Sequence, residues 1–472
     1  MIGPVYLTED LRRIEQAAGD TGPPLMERAG AAAAALAARL ATERGKDVLI
    51  LAGPGNNGGD ARVVAQRLQE QFFRVAIATR PQELEQKSWG LVVDGLFGIG
   101  LARDIEGEYA ELVQYANRQS CPVLALDIPS GIHSDSGRVL GCAVRASHTI
   151  SFIALKPGLL TLDGPDHCGA IEVADLGLEV AELLPPSAWI AHPSLFKDVL
   201  ATRPRNFHKG MAGSLGIFGG AAGMTGAALL AGRAALKLGT GRVYVGLLDE
   251  KSPSIDVNCL ELMLRHPDEA LGEELDAMVV GPGLGRGARA ETLVGAALGS
   301  DIPCVLDADA LNLLSENNDL RKACGRRSAE TLLTPHPAEA ARLLGSSTPA
   351  VQADRVKAAR LLAEKFNAHV VLKGNGSIVA ARDGHWFVNA SGNSGMAAAG
   401  MGDVLAGMLG ALLAQRYTGE AALVLGVHLH GAAADARVAD GAGPVGLAAS
   451  ELIEPARRLW NSWLAGSTHD LR

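Results

Sequence analysis

KDVLILAGPGNNGGDARVVAQRLQ, residues 46 to 69, places an apolar run, a glycine-rich turn and a helical pattern in direct succession. DVLILA has the unbroken aliphatic character of a strand buried on both faces of a parallel sheet. ARVVAQRLQ reads as the helix that crosses back over it. The segment is thus the opening of a βα unit. Its turn is not a P-loop, because the closing Gly-Lys-Ser/Thr is missing and the glycines do not fall as G-x-G-x-x-G. It offers Asn56, Asn57 and Asp60 instead. Gly53, Gly55, Gly58 and Gly59 are placed to let backbone N–H groups approach an anion at the helix start.

The same alternation continues on both sides of this unit. RVAIAT (74–79), LVVDGLF (91–97), PVLALDIP (122–129) and HTISFIAL (148–155) are further strand candidates, separated by helix-length segments such as YAELVQYANRQ. This is the pattern of an open, doubly wound α/β sheet. A proline-rich stretch from about 185 to 209 breaks the rhythm and reads as a linker. Beyond it SLGIFGG, RVYVGLL, AMVVGPG, PCVLDAD, ETLLTPH, HVVLKG and SIVAA start a second α/β domain. We expect domains over 1–195 and 196–472, with no residue-level repeat between them.

Bulk properties narrow the function classes. The 472 residues are 48% apolar and 20% charged, and the net charge of −9 opposes a surface for nucleic-acid phosphates. Six scattered cysteines without a C-x-x-C pair give neither a zinc site nor a disulfide framework, as in a reduced cytoplasmic protein. The N-terminus has no signal pattern, and the alanine-rich run 29–41 is too short to cross a bilayer. We expect a cytoplasmic homo-oligomer that acts on small molecules and engages neither nucleic acid nor membrane.

Ligands of open α/β sheets bind beyond the carboxyl ends of the strands. Asn56, Asn57 and Asp60 follow the first strand, Asp94 ends the third, and Asp127 and Ser130 lie in LALDIPSG. Converging amide and hydroxyl oxygens with one carboxylate suit a large monovalent or a hard divalent cation better than zinc. Each piece has an ordinary alternative: Asn-Asn-Gly-Gly as a turn, Asp94 as a helix cap. In the second half, Gly400 and Gly402 leave N–H groups open at a helix start that favours phosphate, and Asp403 is placed to act as a base on a hydroxyl. Close helix packing would explain the same glycines. His336, between two prolines, is a ligand contact or a strand cap.

YLTEDLRRIEQ, LMERAG, GPGNNGGDARVVA, VVDGLFGIGL, LALDIPSGI and TISFIALKPGL together resemble the NAD(P)HX epimerase family across residues 1 to 180. The resemblance implies a Rossmann-like domain in which Asn57, Asp94 and Ser130 hold potassium. It implies that Asn56, Asn57, Gly58, Gly59, Asp60, Gly98, Ile99, Gly100, Leu101, Ala102, Arg103, Asp104 and Asp127 contact the hydrated nicotinamide nucleotide. Its substrate is a hemiaminal, so ring nitrogen can expel the hydroxyl and water can return to either face. Asp127 is the candidate acid–base group. One departure stands at Ala61, where the family usually has glycine.

HKG, GMTGA, GPGLG, DADAL, TPHPAE, KGNGS and GNSGM…GMGDVLAG, over 205 to 450, resemble the ribokinase-like superfamily and within it the ADP/ATP-dependent NAD(P)HX dehydratases. This implies that Lys373, Gly374, Asn375, Gly376, Ser377 and Gly402 contact ADP or ATP with magnesium. It likewise implies that Ala227, Gly285, His336 and Asp403 contact the hydrated cofactor. The combined expectation is a bifunctional enzyme that epimerises R- and S-NADHX and NADPHX and dehydrates the S epimer. A small-molecule kinase of the hydroxymethylpyrimidine or thiazole type leaves the first domain unexplained. A non-catalytic binding protein leaves Asn57, Asp94, Asp127 and Ser130 unexplained.

Overall fold

The computed structural model describes residues 3–19, 22–42, 45–200 and 202–466. It forms two compact units that divide between Trp189 and Ile190. The first is built on six strands, β1 (Asp47–Ala52), β2 (Arg74–Ala78), β3 (Leu91–Gly95), β4 (Val123–Leu126), β5 (His148–Phe152) and β6 (Ala170–Ala174). All pair in parallel, in the order β2-β1-β3-β4-β5-β6. The chain leaves β1 toward β2 and then returns to β3 on the other side, so the order reverses between β1 and β3. A crevice at the carboxyl ends of these two strands is where such sheets bind ligands.

β3 and β4 are buried at every residue and β1 at all but its first, as expected for runs covered on both faces. β6 is an edge strand with mixed exposure; AIEVA lacks the unbroken apolar run that marked the others, and the sequence reading passed over it.

The helix after β1 spans Asn56–Glu70 with Gly55 as its N-cap, so Asn-Asn-Gly-Gly is the first helical turn rather than a separate loop. Two glycines there cost roughly 0.5–1 kcal/mol each relative to alanine, and close packing explains them. A Cβ on Gly58 would stand 1.9 Å from the Gly53 carbonyl oxygen, and one on Gly59 would stand 2.5 Å from Met26. Gly53 is pressed on Leu96 in the same way, at 1.8 Å. The N–H groups of Gly53 and Gly59 donate to Gly95 and Gly55. Of the four glycines, only Gly55 faces open space. Ala61 lies inside the helix and needs no left-handed backbone. Its methyl fits because Gly95, opposite, has none: a Cβ at Gly95 would come within 2.4 Å.

The expected linker contains a short strand, β7 (Ala188–Ile190), and a 3-10 segment, Pro193–Val199. The second unit continues with β8 (Ser214–Gly219), β9 (Arg242–Leu247), β10 (Met263–Arg265), β11 (Ala277–Val280), β12 (Cys304–Leu306), β13 (Thr331–Leu333), β14 (His369–Leu372), β15 (Ser377–Ala380) and β16 (Trp386–Asn389). The order β10-β9-β8-β11-β12-β13-β14 is parallel throughout. β15 and β16 are added antiparallel as hairpins. No described helix is long and apolar enough to cross a membrane, and none of the six cysteines is joined in a disulfide.

Candidate active sites

A cavity of about 700 Å³ opens at the β1/β3 reversal. Its walls include Asn56, Asn57 and Asp60 from the first helical turn after β1, the whole segment Gly98–Arg103 after β3, and Asp127 after β4. Gly58, Gly59 and Asp104 are not among its lining residues. Asp127 sits in left-handed backbone, φ +68°, which turns its side chain out of the strand direction at the sheet's rim. Its Oδ1 stands 2.5 Å from Nζ of Lys156, a lysine only 1% exposed. The ammonium also donates to Ser151 Oγ at 2.8 Å and to the Phe152 carbonyl at 2.9 Å. A lysine is buried this deeply only when its charge is met. Asp60 faces the same space; burial, reinforced by Asp127 and Glu15, pushes its carboxyl up to about 8.

Asp94, outside the cavity lining, is fully buried and accepts from Ser130 twice, from its hydroxyl at 2.6 Å and its backbone N–H at 2.8 Å. Burial raises the Asp94 carboxyl to about 6 against these hydrogen bonds. Asn57 packs against Gly95 and Gly98, the residues that follow Asp94, and both atoms of its buried amide lack a hydrogen-bond partner. An orphaned buried amide costs about 1–3 kcal/mol. Amide, hydroxyl and carboxylate oxygens with one formal charge between them fit a monovalent cation.

The second set of residues follows the carboxyl ends of four strands, β8, β11, β13 and β14, and the start of a later helix. Ala227 is in the first turn of the helix Thr225–Lys237, after β8, and a Cβ on Gly283 would lie 3.2 Å from its methyl. Gly285 follows β11 in left-handed backbone, φ +74°, and its N–H is already donated to an Asp309 carboxylate oxygen at 2.8 Å. His336 follows β13 and caps not the strand but the helix that follows, Pro337–Leu344: its Nδ1 accepts from Ala338 and Glu339, which leaves Nε2 as the protonated nitrogen. Lys373 follows β14, and Lys373–Gly376 form the turn into β15. Ser377 braces that turn, donating to the Gly374 carbonyl at 2.9 Å and accepting from its N–H.

The helix Met401–Ala414 begins at Gly400, φ +87°, without a side-chain cap, so its first N–H groups have no side-chain acceptor. A Cβ on Gly402 would stand 3.3 Å from Lys373 Nζ, which brings the helix start and the β14 turn together. Burial and the neighbouring Asp307 push Asp403 up to about 6. Asn375 and Gly376 lie at the tip of the same turn. Sequence reasoning passed over Lys156 and Asp307. Lys156 is a lone lysine in the apolar run TISFIALKPGL, and Asp307 is the first carboxylate of DADAL, beyond a strand.

The family described as NAD(P)H-hydrate dehydratase matches residues 215–457, and the YjeF-related protein N-terminus matches 23–89 and 78–158. The bifunctional NAD(P)H-hydrate repair enzyme Nnr of Coxiella burnetii is 36% identical, over 97% of this chain and 99% of its own length. Its Escherichia coli counterpart is 35% identical, over 99% and 96%. Among solved structures, the ADP/ATP-dependent NAD(P)H-hydrate dehydratase of Bacillus subtilis, co-crystallised with ATP and magnesium, is 30% identical with a TM-score of 0.53. That match covers 58% of this chain and 98% of the other. The chain therefore belongs to the bifunctional NAD(P)H-hydrate repair enzyme family.

Proposed function

We propose that the chain repairs hydrated nicotinamide cofactors with Asp127 as the acid–base group of an epimerase half and Asp403 as the base of a dehydratase half. The observation that carries the first assignment is the Asp127–Lys156 pair, 2.5 Å apart on the wall of the cavity at the sheet's reversal point. The pair holds one mobile proton between an acceptor and a donor. Delivered to the hemiaminal hydroxyl, that proton lets ring nitrogen expel water. When water returns to the opposite face of the ring, its proton goes back to the pair, and no net charge moves. Asp60, carrying a proton near neutrality, offers a hydrogen-bond donor to the substrate. Potassium, held by Asn57, Asp94 and Ser130, would offset the buried Asp94 carboxylate.

In the dehydratase half, the S-epimer hydroxyl attacks the terminal phosphoryl group of ADP or ATP. Asp403 accepts its proton, the new O–P bond forms and the bridging P–O bond breaks. Ring nitrogen then expels phosphate, a better leaving group than hydroxide, and loss of a proton from the adjacent ring carbon restores NAD(P)H. Magnesium bound with the nucleotide would offset the charge of its phosphates. The open helix start at Gly400–Gly402 and the Lys373–Ser377 turn are the residues placed to receive that pair. The experiment is direct: mixed R/S NADHX with ADP or ATP, followed by NADH absorbance and by chromatography of the epimers. Complete conversion supports both halves. A stall at the S fraction removes the epimerase, and a stable phosphorylated product would point to a kinase.

A further inference from the structure

Asp307 lies immediately beyond β12 and is 1% exposed. One carboxylate oxygen accepts from Lys373 Nζ at 3.0 Å and from Thr334 Oγ1 at 2.6 Å, and the backbone N–H donates to the Val280 carbonyl at 3.1 Å. The ends of β11, β12, β13 and β14 are thus joined through a single residue. The second carboxylate oxygen stands 3.6 Å from where a Cβ on Gly402 would be, beside the 3.3 Å approach of Lys373 to the same point. Gly402 has no left-handed backbone to account for its glycine. What it lacks is room: the first turn of the helix Met401–Ala414 is seated on the Asp307–Lys373 pair.

A lysine carries a point charge on four flexible bonds, and fixing it in one place is entropically costly. We propose that Asp307 is the positioning residue of the dehydratase half, holding the Lys373 ammonium beside Gly402 so that it meets the nucleotide's terminal phosphate opposite Asp403. The inference rests on the reading of this half as a nucleotide-dependent dehydratase. Lys373 is surrounded from several elements. The acids are Asp307, Glu339 on the helix Pro337–Leu344 and Asp403, and the histidines are His336 and His430, the latter on the helix Gly419–Ala439. Burial works to lower the lysine, and Asp307 and Glu339 outweigh it, so the ammonium is held above its ordinary range.

The test compares Asp307→Asn with the intact chain, using S-NADHX with ADP and magnesium. Asparagine keeps the shape and an acceptor for Thr334 but removes the charge. The nucleotide KM is expected to rise about tenfold, and the alkaline limb of kcat/KM to move down by about one pH unit. Loss of packing alone would lower the thermal transition and leave that limb in place. Asp307→Asn combined with Lys373→Met should be no worse than Lys373→Met alone, because both remove one interaction. Should Asp307→Asn not fold, Thr334→Val carries the test: it loosens the same carboxylate, keeps its charge, and should raise the nucleotide KM about threefold to fivefold. An active parent whose folded variant keeps both KM and alkaline limb overturns the role of Asp307 alone. A parent that dehydrates S-NADHX with neither nucleotide overturns the dehydratase reading, and this inference with it.

Discussion

Ser130 donates its hydroxyl to Asp94 across 2.6 Å, and neither residue has any exposed surface. A carboxylate so placed strains against its own charge, which is why its titration moves up to about 6. A group whose folded pKa is raised stabilises the fold below its unfolded pKa, near 4, and loses that contribution as pH rises through the folded value.

The proposed potassium site can be tested through this sign. At pH 7.5 Asp94 is ionised and buried, so potassium should raise Tm by about 2–4 °C over sodium or choline at equal ionic strength. At pH 4.5, with the carboxyl protonated, the difference should shrink to nothing. The Asp94→Asn chain should show no potassium response at either pH. Differential scanning fluorimetry reads all three, and an equal response at both pH values would remove Asp94 from the ion site.

Asp127→Asn should block clearance of the R epimer by about 10²–10⁴-fold, down to the uncatalysed exchange. Asparagine tolerates the left-handed backbone that Asp127 adopts, so the substitution preserves the turn. The initial rate on pure S-NADHX should stay at the parent value. Lys156→Met should reproduce the same split. Rapid R clearance by a folded Asp127→Asn chain would assign the proton transfer elsewhere.

Asp403→Asn should abolish dehydration and leave R/S exchange untouched, since the two sets of residues belong to separate compact units. In the parent, the base must be ionised to work. Dehydratase kcat/KM should therefore climb with pH through about 6, the value to which burial and Asp307 push this carboxyl. Steady-state profiles with saturating nucleotide test it; a flat profile from pH 5 to 7 would count against Asp403 as the base.

Ala61→Gly should lower stability by about 0.5–1 kcal/mol with epimerisation unchanged, because it only loosens a helix interior. Gly58→Ala should do worse, by about 1–3 kcal/mol, because its methyl would meet the Gly53 carbonyl at 1.9 Å. Urea titration of the two variants orders them, and the reverse order would refute the packing account of this turn.

The buried parallel strands were legible because an unbroken aliphatic run has few other uses. β6 and β10, short and mixed in exposure, carried no such mark. At the sites, carboxylates at strand ends drew attention, and the structure does set Asp94 on Ser130 and Asp127 beside the Gly98 segment. The cations that face them were harder to see. Lys156 is 29 residues from Asp127 in a stretch whose only pattern is hydrophobic, and a pairing across β4 and β5 leaves no spacing to read. The glycines of the first turn misled for a related reason. Their lack of side chains answers the Gly53 carbonyl and the Met26 side chain, and sequence does not say that these lie against them.

Two compact units on one polypeptide also fix something that neither site fixes by itself. Each molecule synthesised delivers one epimerase and one dehydratase, so changes in expression scale both activities together. The balance between them is then set by turnover numbers alone. A substitution that slows only the first unit would let the R epimer accumulate at every expression level, and raising the amount of enzyme would shorten the delay without changing the ratio.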